Sequence, residues 1–458
     1  MVSPAEPLPY RPLPVRPALL GMLGPGLIWM ALAQGSGELI FWPQIVAKYG
    51  LAFVFLMIPA CLLQFPITFE IGRYTTLTGE GILRGFFRLH RGFGALMWLM
   101  FTASFLWFGG YATAGCTAIV ALTDWPLGWS DQQQTLFWAQ CTILLFTVAL
   151  LWVKFVYRLI EWVMKVVAVV CLAGMAIACS HPQVRSQLGA FVRGLVVPDV
   201  ELMRSFDPAD AERLLSAITF AGLGGFFMLF YSYWMREKGA GMARSGAVAL
   251  PADSPEAPQR LRSWYRFVAV DASVGIVGNI LTTLMTCLLA FALLHPQRLV
   301  PENHQIAVIQ AEFFAVSWGD AGRVLFLVIA AAFLVDTWLA TVDSVSRAHL
   351  DVLTHVWPKL AAKDPRKLYN ALVLLGAVIT SLTMYWSQPE ALIVASAVIG
   401  FIGVVIFSGG LLVLNHIYLR RRLPPSMRSG RGSLTLIAIS TACYLLLAVI
   451  YFYAKLSA

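Results

Sequence analysis

Eleven stretches of this 458-residue chain are apolar for long enough to cross a bilayer, and nothing else in the sequence limits its fold as strongly. A helix crosses the hydrocarbon layer in about 20 residues, so apolar runs of roughly 18 or more with few charges read as membrane spans. They cover 18–47, 51–72, 93–122, 134–153, 159–180, 213–235, 265–294, 322–346, 368–386, 390–419 and 433–454. No water is present at that depth to pair with backbone N–H and C=O groups, so the segments are expected to be helices. The fold class is therefore an all-α polytopic membrane protein of about eleven transmembrane helices. Composition agrees: 12% of residues are charged and 59% hydrophobic, against about a quarter charged in soluble domains.

Residues 1–17 are Pro-rich, carry Arg11 and Arg16, and lead into an apolar run too long for a signal-peptide core, so they read as a disordered cytoplasmic tail. Residues 18–458 form a single transmembrane domain. An inside N-terminus puts Arg84, Arg88, Arg236, Arg260 and the Arg420-Arg421-Arg422 run on the cytoplasmic side. Few basic residues, mainly Lys48, Arg185, Arg193, Arg204 and Arg298, are left outside. This is the positive-inside pattern, and it leaves the C-terminus outside. The net charge of +9 is then explained by loops facing anionic lipid, without a nucleic-acid partner. Two irregular connections are expected, an outer loop over 181–212 and a mobile, Gly/Ala/Pro/Ser-rich cytoplasmic loop over 239–262.

Enzyme chemistry finds no support. The seven cysteines lie in or beside spans without metal-ligand spacing, the histidines form no HExxH-type pair, and no nucleotide-binding loop is present. No cofactor is expected.

Two spans carry interruptions. The first reads Gly24-Pro25-Gly26, an apolar run, Gln34-Gly35-Ser36-Gly37-Glu38, and a second apolar run; the sixth is interrupted at Ala221-Gly222-Leu223-Gly224-Gly225. Glycine inside a helix costs about 1 kcal/mol relative to alanine, so unwinding at these clusters is cheap. Unwound backbone at mid-membrane must face protein or water, and two broken helices meeting there make a solute or ion site. Close packing of helices through small residues is the alternative reading of either cluster.

The chain here resembles the Nramp divalent-metal transporters of the amino acid-polyamine-organocation superfamily. The resemblance rests on Gly24-Pro25-Gly26, the stretch from Arg73 to Thr78-Gly79, Tyr157 to Glu161, and Gly194 to Pro198, in that order along much of the chain. It implies a five-plus-five inverted repeat with discontinuous helices 1 and 6, an extra eleventh helix, and a metal held between the two breaks with proton-coupled import. The chain departs from the family at its ligands. The family's Asp-Pro-Gly-Asn aligns with Gly35-Ser36-Gly37-Glu38, and its Met-Pro-His with about Phe226-Phe227-Met228. Losing the thioether and the Asp removes the preference for softer metals. Met228 offers sulfur from a shifted position or is simply core. The third span has no acid and the ninth no Arg or Lys, so the family's proton route is missing.

Intramembrane acids are costly and are functional candidates by default. Glu38 follows the first break and reads as a ligand or as a cap on the second half-helix. In the eighth span Asp336, Asp343 and Arg347 share a helical stripe; Asp343 reads as an ion pair with Arg347, and Asp336 as a second metal ligand or a protonation site. Asp271 is expected to pair with a basic residue such as Arg266, and Glu70 with Arg73 as an anchor or gate. The aromatic run from Phe226 to Trp234 reads as a pocket wall or as an interfacial belt.

The resulting expectation is a secondary transporter with a midplane site formed by Gln34, Gly35, Ser36, Glu38, Ala221, Gly222, Gly224, Gly225 and Met228, and Glu38 and Asp336 as metal ligands. Its partners are the lipid bilayer and a small solute, with a hard divalent cation such as Mg²⁺ or Mn²⁺ first and an amino acid or amine second. A membrane sensor that has lost transport is a third reading. The expected address is a bacterial inner membrane.

Overall fold

The computed structural model describes residues 8–35, 37–152, 156–302 and 305–457; the side chains of residues 156, 333–336, 454 and 457 lie outside that description. Among the described residues eight helices are long and apolar enough to cross a membrane: Val54–Thr78, Arg91–Thr123, Asp131–Trp152, Tyr157–Cys179, Ala257–Gln297, Glu312–Val356, Pro389–Tyr418 and Arg431–Tyr453. They match spans two to five, seven, eight, ten and eleven. The ninth span is the shorter helix Pro365–Thr383. Spans one and six are the interrupted pair.

Span one runs as a helix over Pro25–Ala33 and resumes in a π-helical turn, Gly37–Phe41, that feeds the helix Trp42–Tyr49. Span six is a helix over Ala211–Thr219, an unwound stretch, a 3-10 turn over Gly225–Leu229 and a helix over Phe230–Glu237. Gly222 and Gly224 adopt φ of 135° and 59° in the unwound stretch, conformations that a side chain disfavours. The third span is also offset, between Leu106 and Gly109.

The Gly24-Pro25-Gly26 landmark has a packing cause. Proline suits the first turn of a helix, where its missing N–H goes unused. A Cβ on Gly26 would lie 1.9 Å from the Asp271 carbonyl oxygen, so only glycine lets span one lie this close to span seven.

Three connections are more ordered than the sequence reading expects. Residues 8–17 are not a loose tail: Tyr10–Arg11 pairs in parallel with Leu250–Pro251, and Leu13 is buried. The Leu13 and Pro14 carbonyls accept bonds from Arg260 (3.0 Å) and Trp264 (2.8 Å), so span seven supplies donors that a Pro-rich segment cannot supply itself. The same strand pair, with a 3-10 turn over Gly241–Ser245, orders the 239–262 loop. The 181–212 connection folds into short helices, Pro182–Arg185, Leu188–Gly194 and Val200–Arg204, the last capped by the Asp199 carboxylate.

Candidate ion and solute site at the helix breaks

The two breaks touch. A Cβ on Gly37 would lie 1.8 Å from the Phe220 carbonyl oxygen, and one on Gly35 2.7 Å from the Thr337 hydroxyl of span eight. Gln34, Glu38, Ala221 and Met228 are all completely buried, so these parts of the breaks are shielded from solvent.

The freed backbone of the sixth span is satisfied by one side chain. Gln64 of span two donates to the Thr219 carbonyl (3.2 Å) and the Ala221 carbonyl (3.4 Å), and its Oε1 accepts from the Gly224 amide at 3.2 Å. On the first break, Gln34 donates to Thr282 at 2.6 Å, and Gln310 donates to the Leu39 carbonyl. A neutral amide, which donates and accepts at once, suits an unwound segment that exposes both kinds of group.

Glu38 lies within the first turn after the break, where the exposed N–H groups favour a negative charge. Its Oε1 accepts from Asn279 Nδ2 at 2.8 Å and Thr283 Oγ1 at 3.1 Å. The Gly222 backbone faces the same carboxylate from the sixth span. Among the described residues no Lys, Arg or His pairs with it. Its Oε2 has no donor, and neither do Gln34 Oε1 and Asn279 Oδ1. A buried carboxylate costs several kcal/mol to desolvate, and neutral donors do not cancel its charge. Chemically, the arrangement suits a cation or a proton.

Ser36 lies outside the described residues. Asp336 falls within the helix Glu312–Val356, but its side chain is outside the description. Met228 is packed in the 3-10 turn. Phe220 and Phe227 line the break with Phe41 and Tyr111: Phe41 stacks on Phe220 at 6.3 Å, and Tyr111 meets Phe227 at 5.8 Å.

The remaining acids sit apart from the breaks. Asp271 does not pair with Arg266. It accepts the backbone amides of Gly24 (3.2 Å) and Gly26 (2.6 Å) and the Tyr231 hydroxyl (2.9 Å), joining spans one, six and seven. The start of a half-helix presents unpaired N–H groups, and a carboxylate one helix away is a better partner for them than a solvated guanidinium is for the acid. Glu70 pairs with Arg73 at 3.1 Å and is also bound by Asn415, His416 and Ser433, which ties span two to spans ten and eleven. Asp343 pairs with Arg347 at 2.8 Å and accepts from the Tyr369 hydroxyl at 2.5 Å.

Gln64 and the role of Asn279 escape a reading of the sequence. Both are amides within apolar runs, and polar residues in spans signal function as well as packing. What was not visible is which break each one faces.

No family model and no curated protein matches the sequence. Solved structures do match over almost all of it. A mutant form of the Eremococcus coleocola manganese transporter aligns with a TM-score of 0.65 at 11% identity, covering 100% of this chain and 97% of that one. MhsT in complex with L-phenylalanine aligns at 0.56 and 16% identity, over 97% and 99% of the two chains. Mhp1, a nucleobase-cation-symport-1 family transporter in a closed conformation with bromovinylhydantoin bound, aligns at 0.51 and 14%, over 99% and 95%. At these identities the likeness shows the fold: this chain is a polytopic α-helical membrane protein with the LeuT-type five-plus-five architecture that these transporters share.

Proposed function

We propose that this protein is a secondary transporter that carries a hard cation through the meeting point of the two breaks, with Glu38 as the charged ligand. The observation supporting this is the set of three buried oxygens without donors, Glu38 Oε2, Gln34 Oε1 and Asn279 Oδ1, gathered around the first break and span seven. Carboxylate and amide oxygens suit hard cations. Sulfur near Glu38 is present as the buried thiols Cys61 and Cys287, of which Cys61 Sγ already accepts from Asn279 at 3.6 Å, while Met228 is core. Among the described residues no three His, Cys, Asp or Glu side chains gather to hold a metal. An ion that keeps part of its water, such as Mg²⁺ or Mn²⁺, therefore fits this reading better than one needing a complete protein cage. Asp336 is assigned to the same site from its sequence position alone, as the second negative charge. The address proposed is a bacterial inner membrane, with the basic loops in the cytoplasm.

The aromatic wall favours one second reading. Phe41, Phe220, Phe227 and Tyr111 at the same breaks as Glu38 also suit a small organic amine, whose ammonium would pair with Glu38 while its body meets the rings.

Thermal unfolding of the purified protein with Mg²⁺, Mn²⁺ and an amine panel separates the two. A ligand at 100 times its Kd stabilises by about 2.7 kcal/mol. The hard-cation reading expects that stabilisation from a metal, and its loss in Glu38→Gln. Stabilisation by an amine and by no metal would replace it with the second reading.

A further inference from the structure

A cavity of about 260 Å³ opens between spans three, eight and nine, away from the breaks. Its mouth is ringed by Leu99, Leu106 and Leu375, which are 63%, 37% and 54% exposed on the lipid-facing surface of the bundle. Its walls include the rings of Trp98, Phe105 and Phe108. At its base is Thr341, 1% exposed, whose hydroxyl has no hydrogen-bond partner. Of the other polar groups, His349 is engaged, with Nδ1 at 2.8 Å from the Val345 carbonyl and Nε2 at 3.1 Å from Thr102, and the Thr102 and Thr380 hydroxyls donate to the Trp98 and Gly376 carbonyls; Ser346 also lines the cavity, and the Trp98 Nε1–H, like the Thr341 hydroxyl, has no partner. An unpartnered hydroxyl and an unpartnered indole N–H thus line an aromatic chamber that is entered from the bilayer.

We propose that this cavity is a regulatory site for a small neutral amphiphile, an aromatic body bearing one hydrogen-bonding group, that partitions in from the membrane. The volume falls just below the ~300–1,000 Å³ of drug-sized sites, which suits one ring with a short substituent. The rings supply stacking partners for the body. The unpartnered Thr341 hydroxyl and Trp98 Nε1–H supply polar contacts for its one hydrogen-bonding group. A lipid acyl chain fills the same space but leaves that hydroxyl unpaired, which is why it is the weaker occupant. Charged ligands are disfavoured because no ionised group lines the chamber.

The cavity shares its walls with the breaks. Phe105 and Phe108 pack on Phe227 at 5.0 and 6.1 Å, and Thr341 lies one helical turn beyond Thr337, which abuts Gly35. An occupant wedged against Phe105 and Phe108 holds the wall of the sixth-span break in place and slows the rearrangement that would open it.

The test is photolabelling of the purified full-length protein with a diazirine-bearing alkylphenol, followed by peptide mapping. Labelling is expected on residues 98–108 and 341–349. It should be competed by 4-butylphenol about five- to tenfold more effectively than by butylbenzene, the value of one hydrogen bond. Leu106→Trp, at the exposed mouth, should lower labelling at least tenfold, and Thr341→Val should narrow the difference between the competitors. Label spread over all lipid-facing helices, or unchanged in Leu106→Trp, overturns the site. Equal competition in the unmodified protein overturns the amphiphile in favour of an acyl-chain groove. These arms need no transport. In proteoliposomes, uptake that is unaffected at saturating butylphenol overturns the regulatory coupling while leaving the site.

Discussion

Replacing Asp271 by alanine should loosen the junction of spans one, six and seven. Its carboxylate is fully buried and accepts three hydrogen bonds, from the Gly24 and Gly26 amides and the Tyr231 hydroxyl. Each buried donor left without an acceptor costs about 1–3 kcal/mol. The three are neighbours and relax together, so the sum is nearer the ~3–5 kcal/mol of a broken buried charge network. At roughly 2 °C per kcal/mol for a chain of this size, the apparent Tm in detergent should fall by about 6–10 °C. Asp271→Asn retains one acceptor oxygen but turns an NH₂ toward the other donors, and should fall in between. Tyr231→Phe should cost about 1–2 kcal/mol alone and under ~0.5 kcal/mol in the Asp271→Ala background, because its partner is then already gone. Differential scanning fluorimetry of the four variants gives the cycle. An Asp271→Ala protein melting within about 1 °C of the parent, or fully additive losses, would refute the role of Asp271 in joining spans one, six and seven.

Gly26→Ala should fail to accumulate as folded protein, because its Cβ meets the Asp271 carbonyl at 1.9 Å, whereas Gly21→Ala meets nothing within 4 Å and should be silent; size-exclusion yield compares them. Glu70→Ala should destabilise by about 3–5 kcal/mol, read as a Tm loss, because it strands the buried Arg73 guanidinium. Gln64→Leu should lower stability by roughly 2–4 kcal/mol, since two carbonyls and one amide of the sixth break lose their partner; a neutral result would mean that water replaces it. On the opposite face, burial pushes the Asp210 carboxyl up, but hydrogen bonds from Lys48 and Tyr49 outweigh it and hold the group below its usual range. With its folded pKa depressed, the stability it adds is present above the unfolded value of about 3.9 and is lost as pH falls through the folded one. The Tm difference between the parent and Asp210→Asn should therefore be equal at pH 8 and pH 5 and should shrink only below about pH 4.

Much of this architecture is legible in the sequence because membrane burial simplifies the code. Long apolar runs have one available fold, and glycine clusters in two of them marked where Gly37 and Phe220 meet. Glu38 stood out because a carboxylate at that depth needs a reason. Its partners did not, because Asn279 and Gln64 look like any amide in a span until helix rotation decides which break each faces. Asp271 misled for a related reason: the nearest Arg in sequence is not the nearest donor in space, and backbone amides carry no sequence signal. The segment over 8–17 was hidden because its order depends on Arg260 and Trp264 of span seven, some 250 residues away, capturing carbonyls in a stretch whose composition alone reads as unstructured.

The central claim is that the buried oxygens at the first break hold a cation through Glu38. Proteoliposome uptake of Mg²⁺ and Mn²⁺ by the parent and by Glu38→Gln, which keeps the shape of the side chain and removes only its charge, tests this most directly. The account predicts accumulation of at least one of these ions by the parent and at least a tenfold lower rate in the variant. Uptake that Glu38→Gln leaves unchanged would contradict it.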